Sequence, residues 1–169
     1  LAPVEVGQLF CHDLTQKSGR KTEIAMPERI YQLDEVVPVV GVAGYLRRAT
    51  VEDRDLLIEW NTAFVEESFR ERAVSGQAAR TVDSRLTGLQ SGFAIWEDDG
   101  PRCVVGWSGP TPNGIRIGPV YTPPEHRRHG YASAATAAVS QFLLDEGRQF
   151  CLLFTDLDNP TSNRIYQQI

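Results

Sequence analysis

The sequence predicts a mixed α/β domain, with helices on the faces of a mostly antiparallel sheet, and three observations support this prediction. From residue 44 onward, apolar patterns alternate in the order strand, two helices, three strands, helix, strand, helix. Turn signals at 98–100 and 113–114 separate the three central strands, as in an antiparallel meander. Residues 150–155 form a continuous apolar run after a helix, which is typical of an interior strand covered on both faces.

The first 43 residues are predicted to be an extension of unclear role ahead of the main domain at 44–169. Apolar residues over 4–16 weakly favour a helix, and 18–21 has the composition of a loop. The segment 29–42 is rich in β-branched residues but is interrupted by Pro38, so we expect a strand followed by an extended connection.

The main domain is predicted to open with a short strand over 45–49 and a helix. Thr50, with Asp53 three residues later, resembles a capping box at the start of that helix, and a second helix is predicted over 78–89. The three strands of the meander follow, and Pro119 is expected to bulge or splay the third. An alanine-rich helix over 131–146 and a last helix after Asn159, which is suited to cap it, complete the pattern.

Composition excludes several classes of protein. The chain of 169 residues is 41% hydrophobic, which is too apolar for a disordered protein, and no apolar run is long enough for a membrane span. A net charge of −5 argues against general nucleic-acid binding. The chain opens without a secretory signal pattern, and its three cysteines lack metal-ligand spacing. We therefore expect reduced thiols in a cytoplasmic protein without a bound metal.

The most informative segment is the loop between the third meander strand and the alanine-rich helix. A helix N-terminus offers unpaired N–H groups and a partial positive charge, and Gly130 lets an anion approach the backbone. Arg127, Arg128 and His129 make the loop basic within an acidic chain. Physics alone predicts a phosphate site or else an ordinary exposed loop. The segment matches neither a Walker A loop nor a dinucleotide fingerprint.

The pattern Arg127-x-x-Gly130-x-Ala132, between a strand and an alanine-rich helix, resembles the acyl-CoA loop of the GNAT N-acyltransferase superfamily. Asn159, followed seven residues later by Tyr166, is similar to a second segment of that family. The resemblance covers 44–169. Members of the family usually continue past the tyrosine into one or two further strands, so the C-terminal strands are missing here or the fold is completed differently.

The resemblance implies a set of residues that bind acetyl-CoA as the acyl donor. Its pyrophosphate would meet the loop, and its pantetheine arm would pair with a strand that splays from its neighbour. Asn159 is equally well explained as a helix cap, and Ser162 as an exposed polar residue. The implied residues are Val120, Tyr121, Thr122, Arg127, Arg128, His129, Gly130, Tyr131, Ala132, Ser133, Asn159 and Ser162.

The resemblance also implies direct attack of a primary amine on the thioester in a ternary complex. Tyr166 would protonate the departing thiolate, unless it is simply a core aromatic. A backbone N–H near Val120 would polarise the carbonyl. The base stays open between water and three carboxylates at Glu66, Glu67 and Asp156.

The leading hypothesis is therefore an acetyl-CoA-dependent N-acetyltransferase. A CoA-binding regulatory module without catalysis and another type of nucleotide-phosphate protein are the alternatives. The acceptor is a small amine or an amine on a protein, and the enzyme is a monomer or a homodimer that binds neither nucleic acid nor membrane. Four aromatic residues either line an apolar acceptor pocket or belong to the core: Trp60, Phe64, Phe69 and Trp107.

Overall fold

The computed structural model describes residues 2–69 and 73–169, which form a six-stranded sheet with helices on its two faces. The helices are α1 (Val4–Ser18), α2 (Arg54–Phe69), α3 (Gln77–Thr87), α4 (Tyr131–Asp145) and α5 (Pro160–Tyr166). The strands are β1 (Glu28–Leu33), β2 (Tyr45–Arg48), β3 (Gly92–Glu97), β4 (Pro101–Ser108), β5 (Gly114–Tyr121) and β6 (Phe150–Asp156). Two short 3₁₀ turns, Val51–Asp53 and Pro124–His126, precede α2 and α4.

The sheet confirms the predicted fold class and the predicted order of elements from residue 44. Its strand order is β1-β6-β5-β4-β3-β2, and every neighbouring pair is antiparallel except β5 and β6. The parallel pair follows from the crossover through α4, while tight hairpins connect β3, β4 and β5. β1 forms one edge and pairs with β6 along its whole length, so part of the N-terminal extension belongs to the sheet.

Two apolar clusters lie on opposite faces of the sheet. The first lies under α4 and includes Cys103, Trp107, Ile117 and Leu153. The second joins α2 and α3 to the other face and includes Trp60. Because Trp60 and Trp107 lie on different faces, the four aromatic residues named from the sequence do not line one common pocket.

β6 was predicted to be an interior strand that is covered on both faces. Its interior position is confirmed, but the prediction of two covered faces is wrong. Cys151, Leu153 and Thr155 are buried, but the residues between them are only half-buried. The cause is the placement of the helices, because α4 and α5 pack on β6 while α2 and α3 pack over β3 and β5. A continuous apolar run does not by itself distinguish one covered face from two.

The connection between β1 and β2 runs past α5 and the start of α4. The Val37 N–H donates to the carbonyl of Ile169 at 2.7 Å, and the Trp96 indole donates to the carbonyl of Ala43 at 2.8 Å. Val39 and Val42 pack against the first cluster. Across residues 2–69 and 73–169, no helix has the length and apolar character needed to span a bilayer.

Candidate active site

β5 and β6 diverge in the middle of the sheet. They pair only over the first three residues of each strand, from Gly114 with Phe150 to Arg116 with Leu152. β5 then continues to Tyr121 paired only with β4, and β6 continues to Asp156 paired only with β1. Main-chain groups of both strands therefore face each other across an unpaired gap, which is the splay expected from the sequence.

An irregularity in β5 lies at the point where the strands part. Val105 of β4 is opposite Val120, whereas Trp107 is opposite Ile117, so β5 contains one extra residue. Gly118 has a φ of 139°, and its peptide bond to Pro119 is cis. The bulge expected at Pro119 is thus confirmed, because proline cannot donate to a regular ladder.

The loop after β5 ends at the N-terminus of α4, directly beyond the gap. Arg128 and Gly130 both have positive φ, 67° and 84°, which turns the chain sharply into the helix. Among the described residues, no backbone carbonyl accepts from the N–H groups of 128–133, and the first such bond is from Ala134 to Gly130. These amides are free to bind an anion at the positive end of the helix dipole.

Gly130 also has a neighbour from outside the loop. A Cβ placed on it would lie 2.8 Å from a methyl group of Val42, in the connection between β1 and β2. A side chain here would therefore meet both backbone strain and a steric contact. The glycine that the sequence singled out is required by the fold as well as by any ligand.

Arg127 is held by an ion pair that the sequence did not reveal. Its guanidinium lies 2.6 Å from Glu67 of α2, donates to the carbonyl of Thr122 at 2.8 Å and lies over the ring of Tyr121. Tyr121 donates to the same carboxylate at 2.8 Å, and its burial and this hydrogen bond raise the pKa of Tyr121 to about 12. Glu67 and Arg127 are 60 residues apart, so no local spacing signals the pair.

The other loop side chains pack on one another. The His129 ring stacks on Tyr131 at 5.5 Å, and the Tyr131 hydroxyl donates to Asp98 at 2.5 Å. Ala132 and Ser133 are half-buried in the first turn of α4. Tyr131 is therefore a packing residue through its side chain, and only its backbone N–H points to a binding role.

Two asparagines fix the start of α5. The Asn159 side chain accepts from the N–H of Ser162 at 3.0 Å, as expected for an N-cap. Asn163 was not assigned a role from the sequence. It donates to the carbonyls of Asp156 and Asn159 and accepts from the Tyr31 hydroxyl at 3.0 Å. It thereby ties β1, β6 and α5 together beside the gap.

Tyr166 lies at the end of α5 and points to the gap. Its ring packs against Tyr31, with centroids 6.2 Å apart, and it contacts the first cluster. No described residue hydrogen-bonds its hydroxyl. Burial and the proximity of Cys103 raise the pKa of Tyr166 well above its usual range, so the phenol remains protonated at neutral pH.

A cavity of about 170 Å³ lies on the face of the sheet that carries α4 and α5, where residues 31–37, β6 and α5 meet. Ile117 of β5, Ser140 of α4 and Tyr166 also line it, so the cavity lies beside the start of the gap. The hydroxyls of Ser140 and of nearby Thr122 are buried without a hydrogen-bond partner among the described residues. Each lies beside a buried thiol, Thr122 beside Cys103 and Ser140 beside Cys151, so both hydroxyls belong to the packing of the sheet.

The three carboxylates considered as bases are in different surroundings. Glu67 is engaged by Arg127 and Tyr121, and Glu66 is exposed near the backbone of Ala73. Asp156 ends β6 and accepts from the N–H of Asp158 at 2.9 Å.

A mixed sheet with two splayed strands beside an open helix N-terminus defines a ligand-binding α/β domain. The sequence matches the family described as the acetyltransferase (GNAT) domain over residues 45–169. The chain therefore belongs to the GNAT acetyltransferase family, which confirms the resemblance. No curated protein gives a significant sequence match.

Solved structures share the fold at low sequence identity. The protein AAC(6')-Iy, solved with the bisubstrate analog CoA-S-monomethyl-acetylneamine, is 14% identical with a TM-score of 0.60 over 74% of this chain and 88% of its own. A predicted acetyltransferase from Clostridium acetobutylicum, solved with acetyl-CoA, is 14% identical with a TM-score of 0.63 over 75% and 88%. A GNAT acetyltransferase from Colwellia psychrerythraea is 10% identical with a TM-score of 0.67 over 96% of this chain and 56% of its own.

Proposed function

We propose that this protein is an N-acetyltransferase that transfers an acetyl group from acetyl-CoA to a primary amine. The observation that carries the proposal is the divergence of β5 from β6 after Arg116, next to the open N-terminus of α4. The arrangement would give a ligand an anion site next to an unpaired strand edge. These are the features needed to hold a pyrophosphate and an extended amide-containing arm.

The donor would bind through the backbone of the loop and of β5. Amides of Arg128 to Ser133 would hold the pyrophosphate, with the side chain of Arg128 adding positive charge and that of His129 lying beside it. Main-chain groups of Val120 to Thr122 would pair with the pantetheine amides, since β5 has no partner on this edge. Asn159 and Ser162 would contact the arm from α5, where Asn159 also caps the helix.

The reaction would be a direct transfer. The amine nitrogen attacks the thioester carbonyl carbon, a C–N bond forms, and the C–S bond breaks. A backbone N–H near Val120 or Tyr121 stabilises the negative charge on the carbonyl oxygen. Tyr166 gives its proton to the departing thiolate and regains one from water, while the proton lost by the amine leaves through water or a nearby carboxylate. Atoms and charge balance without a covalent enzyme intermediate.

Two structural neighbours support the choice of donor and acceptor. One was solved with acetyl-CoA, and another with an analog that joins CoA to an acetylated amine compound. The proposal places the acetyltransferase domain at 44–169, with β1 of the preceding extension at the edge of its sheet. The expectation of a cytoplasmic enzyme belongs to the same proposal and is supported by the three unpaired thiols. The proposal also includes a small or protein amine as acceptor and a monomer or homodimer as the active form.

Calorimetric titration of acetyl-CoA tests the proposal. We expect micromolar-range binding to the wild-type protein and a loss of about tenfold or more in Gly130→Glu, because the carboxylate would stand where the pyrophosphate should lie. Gly147→Glu is the matched control. Gly147 also has positive φ, 94°, so it reproduces the backbone strain, but it has open space beside it. Gly130→Ala meets the same strain and the same contact with Val42 without adding charge, so it separates packing from charge. Absence of binding in the wild type, or a loss in Gly130→Glu no larger than in Gly147→Glu or Gly130→Ala, would contradict the proposal.

A further inference from the structure

A second cavity lies on the opposite face of the sheet from α4 and α5. It has a volume of about 490 Å³ and is open to solvent. Arg80, Ser84 and Arg85 of α3 form one wall, and Ser91 and Ser108, beside β3 and β4, form the other. The lining is basic and hydroxyl-rich, and it contains no carboxylate. Neither the acetyl-CoA site nor the proposed chemistry at Tyr166 uses it.

The positive charge in this cavity is not neutralised by the described part of the protein. Arg85 is half-buried, lies over the Phe93 ring and donates to the carbonyl of Gly118 at 2.6 Å. No described carboxylate forms an ion pair with Arg80, Arg85 or Arg116, whereas Asp83 on the same helix is paired with Arg54 at 2.6 Å. Burial and repulsion from Arg116 lower the pKa of Arg85 to about 10, so it still carries its charge at neutral pH.

Arg116 adds to the same region. Ile115 and Ile117 point into the cluster under α4, so the intervening Arg116 faces the side of α3. Its side chain is exposed at the last residue of β5 that pairs with β6. Two arginines of α3 thus line a pocket that is suited to an anion, and Arg116 of β5 lies close enough to Arg85 to add to its positive potential.

Arg85, which lines the cavity, also reaches the strand that borders the gap between β5 and β6. Gly118, which accepts from Arg85, is the bulged position of β5 two residues beyond the last pair with β6. The anion-binding loop and Tyr166 approach this gap from the α4 face. A donor held on that face would present its thioester at the gap, and an acceptor would reach it from the face of α3.

We propose that this cavity binds the acceptor, and that the acceptor is an amine that also carries a carboxylate. The inference rests on the proposed function and extends it. Arg85, together with Arg80 or Arg116, would hold the carboxylate by charge-assisted hydrogen bonds, and the hydroxyls of Ser84 and Ser108 would donate to it. An amine with further positive charges is excluded from this pocket by repulsion from the three arginines.

Paired acceptors test the proposal. Release of free CoA thiol is measured with glycine, β-alanine, 4-aminobutyrate and 5-aminovalerate, each beside its primary amide, and with O-phosphoethanolamine and putrescine. We expect at least one of the amino acids to exceed its own amide by about tenfold or more in kcat/KM, mainly through a lower KM.

Arg85→Gln should remove most of the preference for the acid over the amide, and Arg85→Lys should keep part of it. Arg20→Gln, outside the cavity, controls for net charge.

A binding measurement covers the case in which none of these amines is acetylated. The Nε–H NMR signals of Arg85 and Arg116 are followed during titration with N-acetylglycine and with its amide. Carboxylate-dependent shifts that Arg80→Gln and Arg116→Gln weaken would support the proposal, and no such shifts would overturn it. It would also be overturned by equal use of acids and amides, or by a preference for O-phosphoethanolamine or putrescine.

Calorimetry with acetyl-CoA separates this inference from the proposed function. In one outcome, acetyl-CoA binds the wild type and the arginine variants equally well, while acceptors with a carboxylate and their amides are used equally. In that case only the inference fails. If acetyl-CoA does not bind the wild type, the proposed function fails and the inference falls with it.

Discussion

At the scale of single residues, the phenol of Tyr166 combines the properties needed for proton transfer. It lines the cavity formed by residues 31–37, β6 and α5, and no described side chain hydrogen-bonds its hydroxyl. Burial raises the pKa of Tyr166, which keeps it protonated and makes the phenolate a poor resting state. A group of this kind can protonate a departing thiolate if the sulfur is placed beside it.

We expect Tyr166→Phe to lower kcat by about 100-fold at neutral pH while changing acetyl-CoA affinity by less than about threefold, because only the acid is removed. In the wild type, activity that depends on the protonated phenol should persist as pH rises and should fall only above the raised pKa. Steady-state rates over pH 6–10, beside calorimetry, check both points. An unchanged kcat in the variant would show that Tyr166 is a packing residue.

At the scale of elements, a polar cluster fastens the start of α2 to the sheet. Arg47 of β2 makes two hydrogen bonds of 2.7 Å to Asp53 and lies 2.8 Å from Glu97 of β3. Asp53 also accepts from the N–H of Thr50 at 2.8 Å and so completes the predicted capping box. The Asp53 carboxylate thus connects the capping residue Thr50 and β2 at the start of α2, and the Asp53 side chain is only 12% exposed.

Asp53→Asn should lower the free energy of unfolding by about 1–3 kcal/mol at pH 7. It breaks the cap and leaves Arg47 with Glu97 as its one carboxylate partner among the described residues. The Arg47 guanidinium lowers the pKa of Asp53 below its unfolded value near 3.9. The stabilisation is therefore fully present above that unfolded value and is lost as pH falls through the lowered folded pKa. Urea unfolding of both proteins at pH 7 and pH 3 measures it.

The matched control for this prediction is Asp83→Asn. Asp83 forms a similar pair with Arg54, but both side chains are exposed to solvent, 51% and 43%. Exposed ion pairs contribute little, so this variant should be much less destabilised. Equal effects of the two substitutions, or a difference that does not shrink at pH 3, would refute the role given to Asp53.

At the scale of the whole molecule, the N-terminal extension has two parts with different roles. α1 has no buried residue, whereas β1 forms six residue pairs with β6. β6 forms only three pairs with β5 on its other side. Beyond Leu152, β6 therefore has a hydrogen-bonded partner on one edge alone, and that partner is β1.

Deleting residues 1–20 should leave the melting temperature within a few degrees of the wild type, while deleting 1–33 should destabilise the protein by about 3 kcal/mol or cause aggregation. The longer deletion removes the β1 ladder and exposes β6 as an unprotected edge. Thermal melts and light scattering of the two truncated proteins compare them directly. If both behave alike, β1 does not support the sheet.

What the sequence determined by itself was largely local. The capping box of Thr50 and Asp53, the hairpins and the Asn159 cap depend on residues within a few positions of one another, and all were predictable. So were the basic loop and Gly130, because the strand, the glycine and the helix are contiguous. The order of elements then restricted the fold, since short connections and a helical crossover leave few sheet topologies.

The tertiary structure decided everything that joins distant parts of the chain. Glu67 with Arg127, Arg85 with Gly118 and Tyr31 with Asn163 are separated by 33 to 132 residues. Their contacts depend on how helices cross the sheet and on which strand occupies its edge, and these follow from packing of the entire core. Spacing along the chain does not predict contacts between residues so far apart. The sequence therefore indicated the basic loop, while only the fold revealed the basic cavity on the other face of the sheet.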